Sequence, residues 1–329
     1  MTDSAGKSVA LLLPGSLGAA QVARYSMESL TSRLEGAAAL LVCPLEGTEA
    51  RILGRFERNS APEGDLVPLS PRYRRGTGGA TLQVGPGRVY VNLRLRDPSA
   101  LTAADETKLL NRYVRPLLRA IGKVAAPTHY FGRDWLSCAS APVASVAFAH
   151  DARSKRSVIE AVVSVSAPFA PSMTSASFLG KTPTTIDAVV GTKRDPDAFC
   201  EQVSRAYAEA YGLTFAPHRE PFAFPPAEPL AAEGPWHATV EEAIGTVGAS
   251  FSDSHVRIGG AFMASEDALA ELEGRLSALS PAAHVDDFVA DASAVFGAPG
   301  VTLFGVRSLT SLADVAFEAR ARSLREGTS

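Results

Sequence analysis

The sequence predicts an α+β fold in two parts, and three observations carry the prediction. Apolar, often β-branched runs at 38–45, 50–56, 88–96, 141–148 and 158–169 have the length and alternation of strands. Stretches of helical period stand among them at 17–35, 102–122 and 195–212. Residues 214–235 hold six prolines among few charges, the composition of a linker, and past it strand patterns give way to helices. The expected division is a larger domain over 1–213, a linker over 214–235 and a small α+β domain over 236–329.

Taken in order, 17–35 sets Ala19, Ala20, Val22, Ala23, Met27 and Leu30 on one helical face, with Gly36 to close it. The run 38–45 ends at Pro44 as a buried strand, and 50–56 follows after a turn. The helix at 102–122 is the strongest of all, with Leu109, Leu110, Tyr113, Val114, Leu117, Leu118 and Ile121 at helical spacing. Pro116 inside it implies a kink or a restart there. A strand and loop are expected over 177–191, and a helix over 195–212 with Asp195 as N-cap and Gly212 as terminator. Strands at 236–240, 245–251 and 255–262 precede helices at 265–279, with Ser265 as N-cap, and at 285–296 and 311–324.

A hydrophobic fraction of 46% with 20% charged residues is that of a globular protein. A net charge of −3 gives no bulk electrostatic reason to bind nucleic acid or an anionic membrane. Cys43, Cys138 and Cys200 lie far apart, which argues against a disulfide framework or zinc site and fits a reducing cytoplasm. The short apolar run 10–13 makes a signal peptide unexpected, and no run approaches the roughly 18 apolar residues of a spanning helix. Gly6, Lys7 and Ser8 end like a phosphate-binding loop, but no glycine stands five places before Gly6.

The chemistry concentrates at 72–87, which opens with Arg72, Arg74 and Arg75 and continues with Gly76, Thr77, Gly78, Gly79, Ala80 and Thr81. Glycines permit positive φ and close backbone approach, and arginines supply planar donor forks for a carboxylate or phosphate. By composition alone, a surface hairpin turn with solvated arginines explains the stretch equally well.

The order Arg-Arg-x-Thr-Gly-Gly, a short strand, Gly-Pro-Gly and another strand resembles the signature loop of the biotin/lipoate protein ligase family, the lipoate–protein ligase branch most closely. The resemblance implies a mixed sheet with packed helices and a C-terminal accessory domain. It implies a loop lying over an acyl chain, lipoate or octanoate, and the phosphate of its adenylate. Arg55, Arg74, Arg75, Thr77, Gly78, Gly79, Thr81, Gln83 and Asp134 would then form the acyl and nucleotide site, with ATP and Mg²⁺ as co-substrate and cofactor. The acceptor would be a lysine on a lipoyl-type carrier domain. Asp134 and Asp151 are the candidate magnesium ligands, each more commonly a capping or solvated aspartate. Ala80 and Gln83 depart from the family, which has a third glycine and often a histidine there.

Tyr130, Phe131, Gly132, Arg133, Asp134 and Trp135 resemble the family's Gly-Arg-Asn-Asp segment without its asparagine. The strand that in the family carries the reactive-site lysine aligns with 142–147, and Pro142 occupies the lysine position. Three explanations stand. The chain is a degenerate relative that binds an acyl group, an adenylate or a carrier protein without turnover; or a nearby cation, Arg153, Lys155 or Arg156, replaces the lysine; or Cys138 acts as a thiolate, activated by Arg133, as in octanoyltransferases of the same fold. His150 beside Asp151 is a candidate base. The reading is weak or altered ligase-type acyl transfer.

Overall fold

The computed structural model describes residues 8–60, 71–169, 179–218 and 225–326. Its elements begin with β1 (Ser8–Leu12), α1 (Ala19–Glu28), β2 (Ala38–Pro44), β3 (Ala50–Leu53), β4 (Arg72–Arg74), β5 (Leu82–Val84) and β6 (Arg88–Leu95). There follow α2 (Leu109–Tyr113), α3 (Arg115–Val124), β7 (Thr128–His129), β8 (Trp135–Cys138), β9 (Ala141–His150), β10 (Ser157–Ser164), α4 (Ile186–Val190), α5 (Pro196–Tyr211) and β11 (Thr214–His218). The last third holds β12 (Ala238–Glu242), β13 (Gly245–Ser252), β14 (His255–Gly260), β15 (Met263–Ala264), α6 (Glu266–Ala278), α7 (Val285–Phe296), β16 (Leu303–Phe304) and α8 (Leu309–Glu326).

Eight strands form a mixed sheet in the order β11-β1-β2-β6-β10-β9-β8-β7. Only β1 pairs in parallel, with β11 and β2; the remaining neighbours are antiparallel. Period-two alternation sends each strand's residues to two different covers. Val89, Val91 and Leu93 of β6 and Ile159, Ala161 and Val163 of β10 join the core with Tyr113, Leu117, Phe199, Val203 and Tyr207 from α2, α3 and α5. Tyr90 and Val162, on the other face, meet Val22 and Tyr25 of α1 and Ile52, Tyr73 and Leu82 of the small sheet β4-β3-β5. In the last third, β12-β13-β14 and α6, α7 and α8 enclose a further core of Val247, Ala249, Leu272, Phe288, Leu312 and Ala316. This is the α+β architecture that the sequence predicts.

Local chemistry explains most element ends. Asp195 caps α5 by accepting from the Asp197 N–H, and Gly212 closes it in the left-handed region at φ 62°. The predicted 102–122 helix breaks after Tyr113 and restarts at Arg115, with Pro116 in the first turn, where its missing N–H is harmless. Arginines finish α1: Arg94 and Arg156 donate to the carbonyls of Ser29, Leu30, Thr31, Ser32 and Arg33, which stops the helix short of the expected Glu35.

Three expectations need correction. The described part of 177–191 is not a strand: Thr185 accepts from the Ala188 N–H and starts α4, which Gly191 ends at φ 78°. The first five residues of the expected linker form β11 instead, pairing with β1. Ser265 stands at the N-cap of α6, but its hydroxyl exchanges hydrogen bonds with Thr302 rather than capping the helix. Later linker residues are tied down, Leu230 N–H to the Arg72 carbonyl at 2.8 Å and Ala227 N–H to Ala20 at 3.1 Å. The connection at 61–70, Gly6 and Lys7 lie outside the described residues.

Replacing Asp195 by Ala should lower unfolding free energy by about 1 kcal/mol, read as a lower urea midpoint at unchanged slope.

Candidate functional site

Cross-strand register sets the floor beneath the glycine loop. Glu160 of β10 pairs with Ala147 of β9 on one side and Asn92 of β6 on the other. Glu160 is 1% exposed in the middle of the main sheet. Its carboxylate accepts from the Thr77 hydroxyl, the Tyr90 hydroxyl and, at 3.0 Å, the Asn92 amide. Burial and the adjacent Glu160 push the Tyr90 phenol well up. The loop is therefore anchored to the sheet through Thr77.

The arginines expected at the adenylate all have internal partners. Arg75 is 2% exposed and donates to the carbonyls of Gly78 at 2.6 Å and Ala80 at 2.9 Å. Burial lowers its pKa, opposed by the charges of Glu160 and Glu57. Arg74 donates to the carbonyls of Glu57 and Arg55 and meets Glu233 at 3.4 Å. Arg55 pairs with Glu266, and Arg133 donates to the Ala243 carbonyl. Thr81 donates to Glu57 at 2.9 Å and Gln83 to Glu49 at 2.5 Å. Glu57, raised by burial, also accepts from the Gly54 N–H. In this arrangement these residues do not fit an adenylate, which would have to break several of these bonds to reach the guanidinium groups.

The glycines meet the chain's own C-terminal segment. Gly79, at φ 91°, donates its N–H to the Phe262 carbonyl at 2.8 Å. A Cβ on Gly78 would stand 2.4 Å from that oxygen and 2.7 Å from the Met263 Cα. Phe262 stacks on Phe56 at 5.2 Å, and the Gly260 N–H donates to the Phe56 carbonyl. Beside this contact lies a cavity of about 80 Å³ lined by Met27, Leu30, Arg55, Gly78, Ala149 and Ala264, among others.

Of the remaining candidates, His150 and Asp151 line this same cavity, and the others lie apart from it. Pro142 is the second residue of β9, beside a register shift opposite Leu136 and Ser137, where a strand tolerates proline. Cys138, the last residue of β8, pairs with Ala141 at that same end of β9, and Ala141 stands six residues before Ala147. It is fully buried, its thiol is pushed up by burial, and it faces the Ala126 carbonyl. This is not the electropositive, accessible setting of a thiolate nucleophile. Lys155 and Arg153 lie in the exposed β9–β10 connection, and Arg156 serves α1. Asp151 accepts from the N–H groups of Arg153 and Ser154 and so caps the turn. His150 is buried against Ser157 at 2.9 Å, with its pKa lowered by burial. Among the described residues no three His, Cys, Asp or Glu side chains gather to hold a metal ion.

Sequence reasoning missed two residues that shape the site. Glu160 announces itself as the only charge in 157–164, a break in an otherwise apolar strand. Met263 carries no such signal.

Asp134 is 3% exposed, and its Oδ1 has no hydrogen-bond partner. Burial pushes its carboxyl up to about 7 from 3.8, against the nearby charges of Arg133 and Arg75. A folded value above the unfolded one means that its stabilising contribution is complete below 3.8 and lost as pH rises through about 7. Asp134→Asn should therefore flatten the loss of stability over that window, read as the difference between wild-type and variant denaturation curves. Gly78→Val should cost about 3 kcal/mol by overpacking against Phe262 and Met263, seen in the same measurement.

No family model matches the chain, and no curated protein matches it in sequence. Solved structures do match it in fold. The bi-partite lipoate protein ligase of Thermoplasma acidophilum, studied with its E2 lipoyl domain, shares 12% identity over 65% of this chain and 88% of its own, with a TM-score of 0.50. The T. acidophilum protein Ta0514 with bound lipoic acid gives 13%, 65% and 89%, with a TM-score of 0.50. P. falciparum LipL1 in complex with lipoate shares 11% identity over 96% of this chain and 99% of its own, with a TM-score of 0.56. This chain has the fold of the lipoate–protein ligases.

Proposed function

We propose that this chain is a lipoate–protein-ligase-like protein that binds an acyl carboxylate and activates it only weakly. The observation that carries the reading is the engagement of Arg55, Arg74, Arg75 and Arg133 by internal partners. Forming an acyl-adenylate requires cations held ready for charge that develops at the carboxylate and α-phosphate. Here the same cations hold the loop and the C-terminal segment in place. Pro142 adds to this, since the reactive-site lysine of the resembled family has no counterpart there. Losing one transition-state charge typically costs about 3–4 kcal/mol, or some two to three powers of ten in rate.

Acyl binding is supported by the shared fold, by a loop in family order and by the cavity beside Gly78 with Arg55 at its rim. ATP would be the co-substrate of any residual activation. A lipoyl-type carrier domain, the partner described for the bi-partite ligase, is the acceptor class to test. The cysteine-dependent alternative finds no support in the setting of Cys138.

The test is incubation with ATP, Mg²⁺, lipoate or octanoate and a lipoyl carrier domain, with carrier mass as readout and titration calorimetry for acyl binding. The expected outcome is measurable carboxylate binding with carrier acylation about two to three powers of ten below an active ligase. Carrier acylation at the rate of an active ligase would overturn the proposal, as would failure to bind any carboxylate.

A further inference from the structure

The cavity beside the glycine loop grades from open to closed. At one end stand Arg55 and Glu266, with side chains 24% and 59% exposed, and Met27, 38% exposed. At the other end its walls are Gly78, Ala149 and Ala264, all buried. One step further along each of these elements the chain meets Met263. Gly79 follows Gly78, Ala147 precedes Ala149 on the same face of β9, and Met263 itself precedes Ala264. The Met263 Cε lies 3.2 Å, and the Ala147 Cβ 3.8 Å, from where a Cβ on Gly79 would stand. Met263 is fully buried and belongs to the core of the main sheet, although Phe262 and Ala264 on either side of it belong to the C-terminal core. Its side chain thus packs into the main-sheet core beside Gly79, adjoining residues that line the cavity.

We infer that Met263 is the chain-length stop of this site, and that the slot as built takes a short-chain carboxylate. The inference rests on the acyl-binding reading above. At about 80 Å³ the cavity is well below the roughly 300 Å³ and more of ordinary ligand pockets, so it suits a small ligand. An incoming carboxylate would take the place of Glu266 on Arg55. That exchange costs little, because the Glu266 carboxylate is open to water and gains little from the pair. The alkyl chain would then run past Gly78 and Ala149 until it met Met263. Truncating Met263 to alanine removes three heavy atoms and lengthens the slot. Leucine keeps most of the volume.

Calorimetric titration with the straight-chain carboxylates from butanoate to decanoate, on wild type, Met263→Ala and Met263→Leu, tests this. Wild type should bind butanoate or pentanoate best and octanoate measurably but more weakly. Met263→Ala should move the optimum about three carbons longer, each added methylene gaining about fourfold in affinity up to the new limit. Met263→Leu should keep the wild-type preference and so control for a general loosening. Binding with the same length preference in wild type and a folded Met263→Ala overturns the assignment of Met263 alone. Absence of binding by every carboxylate to every variant overturns the acyl-binding reading and this inference with it.

Discussion

A carboxylate buried in the middle of a sheet constrains everything above it. Glu160 is almost fully withdrawn from water, and such a charge is tolerable only where its oxygens are filled. Tyr90 and Asn92 come from the neighbouring strand, but Thr77 comes from the glycine loop, so the same carboxylate that needs partners also fixes the loop to the sheet. With Thr77 anchored, Arg75 folds back on the carbonyls of Gly78 and Ala80, and its charge stands near Glu160. The loop's shape and the engagement of its arginine follow from one buried acid.

This arrangement separates two uses of positive charge that sequence alone cannot tell apart. An arginine fork prepared for a ligand keeps donors directed at the place where an anion will arrive. A fork that stitches a backbone together directs them at carbonyls. Arg74, Arg75 and Arg133 are of the second kind, and Arg55 at the cavity rim holds an exposed carboxylate that another anion can replace.

Most of the fold was legible because periodicity, caps and breakers act locally. Asp195 and Gly212 bound their helix, and Pro116 marks a real restart. The short parallel pairing of β11 was not legible, since a proline-bearing edge strand carries no alternation to distinguish it from a linker. At the site, residue order drew attention to the glycine loop and to Arg75, but Arg75 proves to be turned onto the carbonyls of Gly78 and Ala80. What the glycines approach could not be read. Absence of a Cβ reports that something comes close, and Gly78 and Gly79 meet Phe262 and Met263, nearly two hundred residues away in sequence. Cys138 was misjudged for a related reason: its burial depends on the edge hairpin and the helices beneath, which no local pattern records.

The hydrogen bond from Gly79 to Phe262 also bears on how the chain is made. Loop closure over such a separation is entropically costly and comes late, after local helices and hairpins have formed. A ribosome that has completed the main sheet has not yet produced the residues that close over the glycine loop. The nascent protein therefore passes through a stage in which Gly78, Gly79 and the slot along β9 stand open to solvent. That stage ends only when the last third of the chain has emerged and docked.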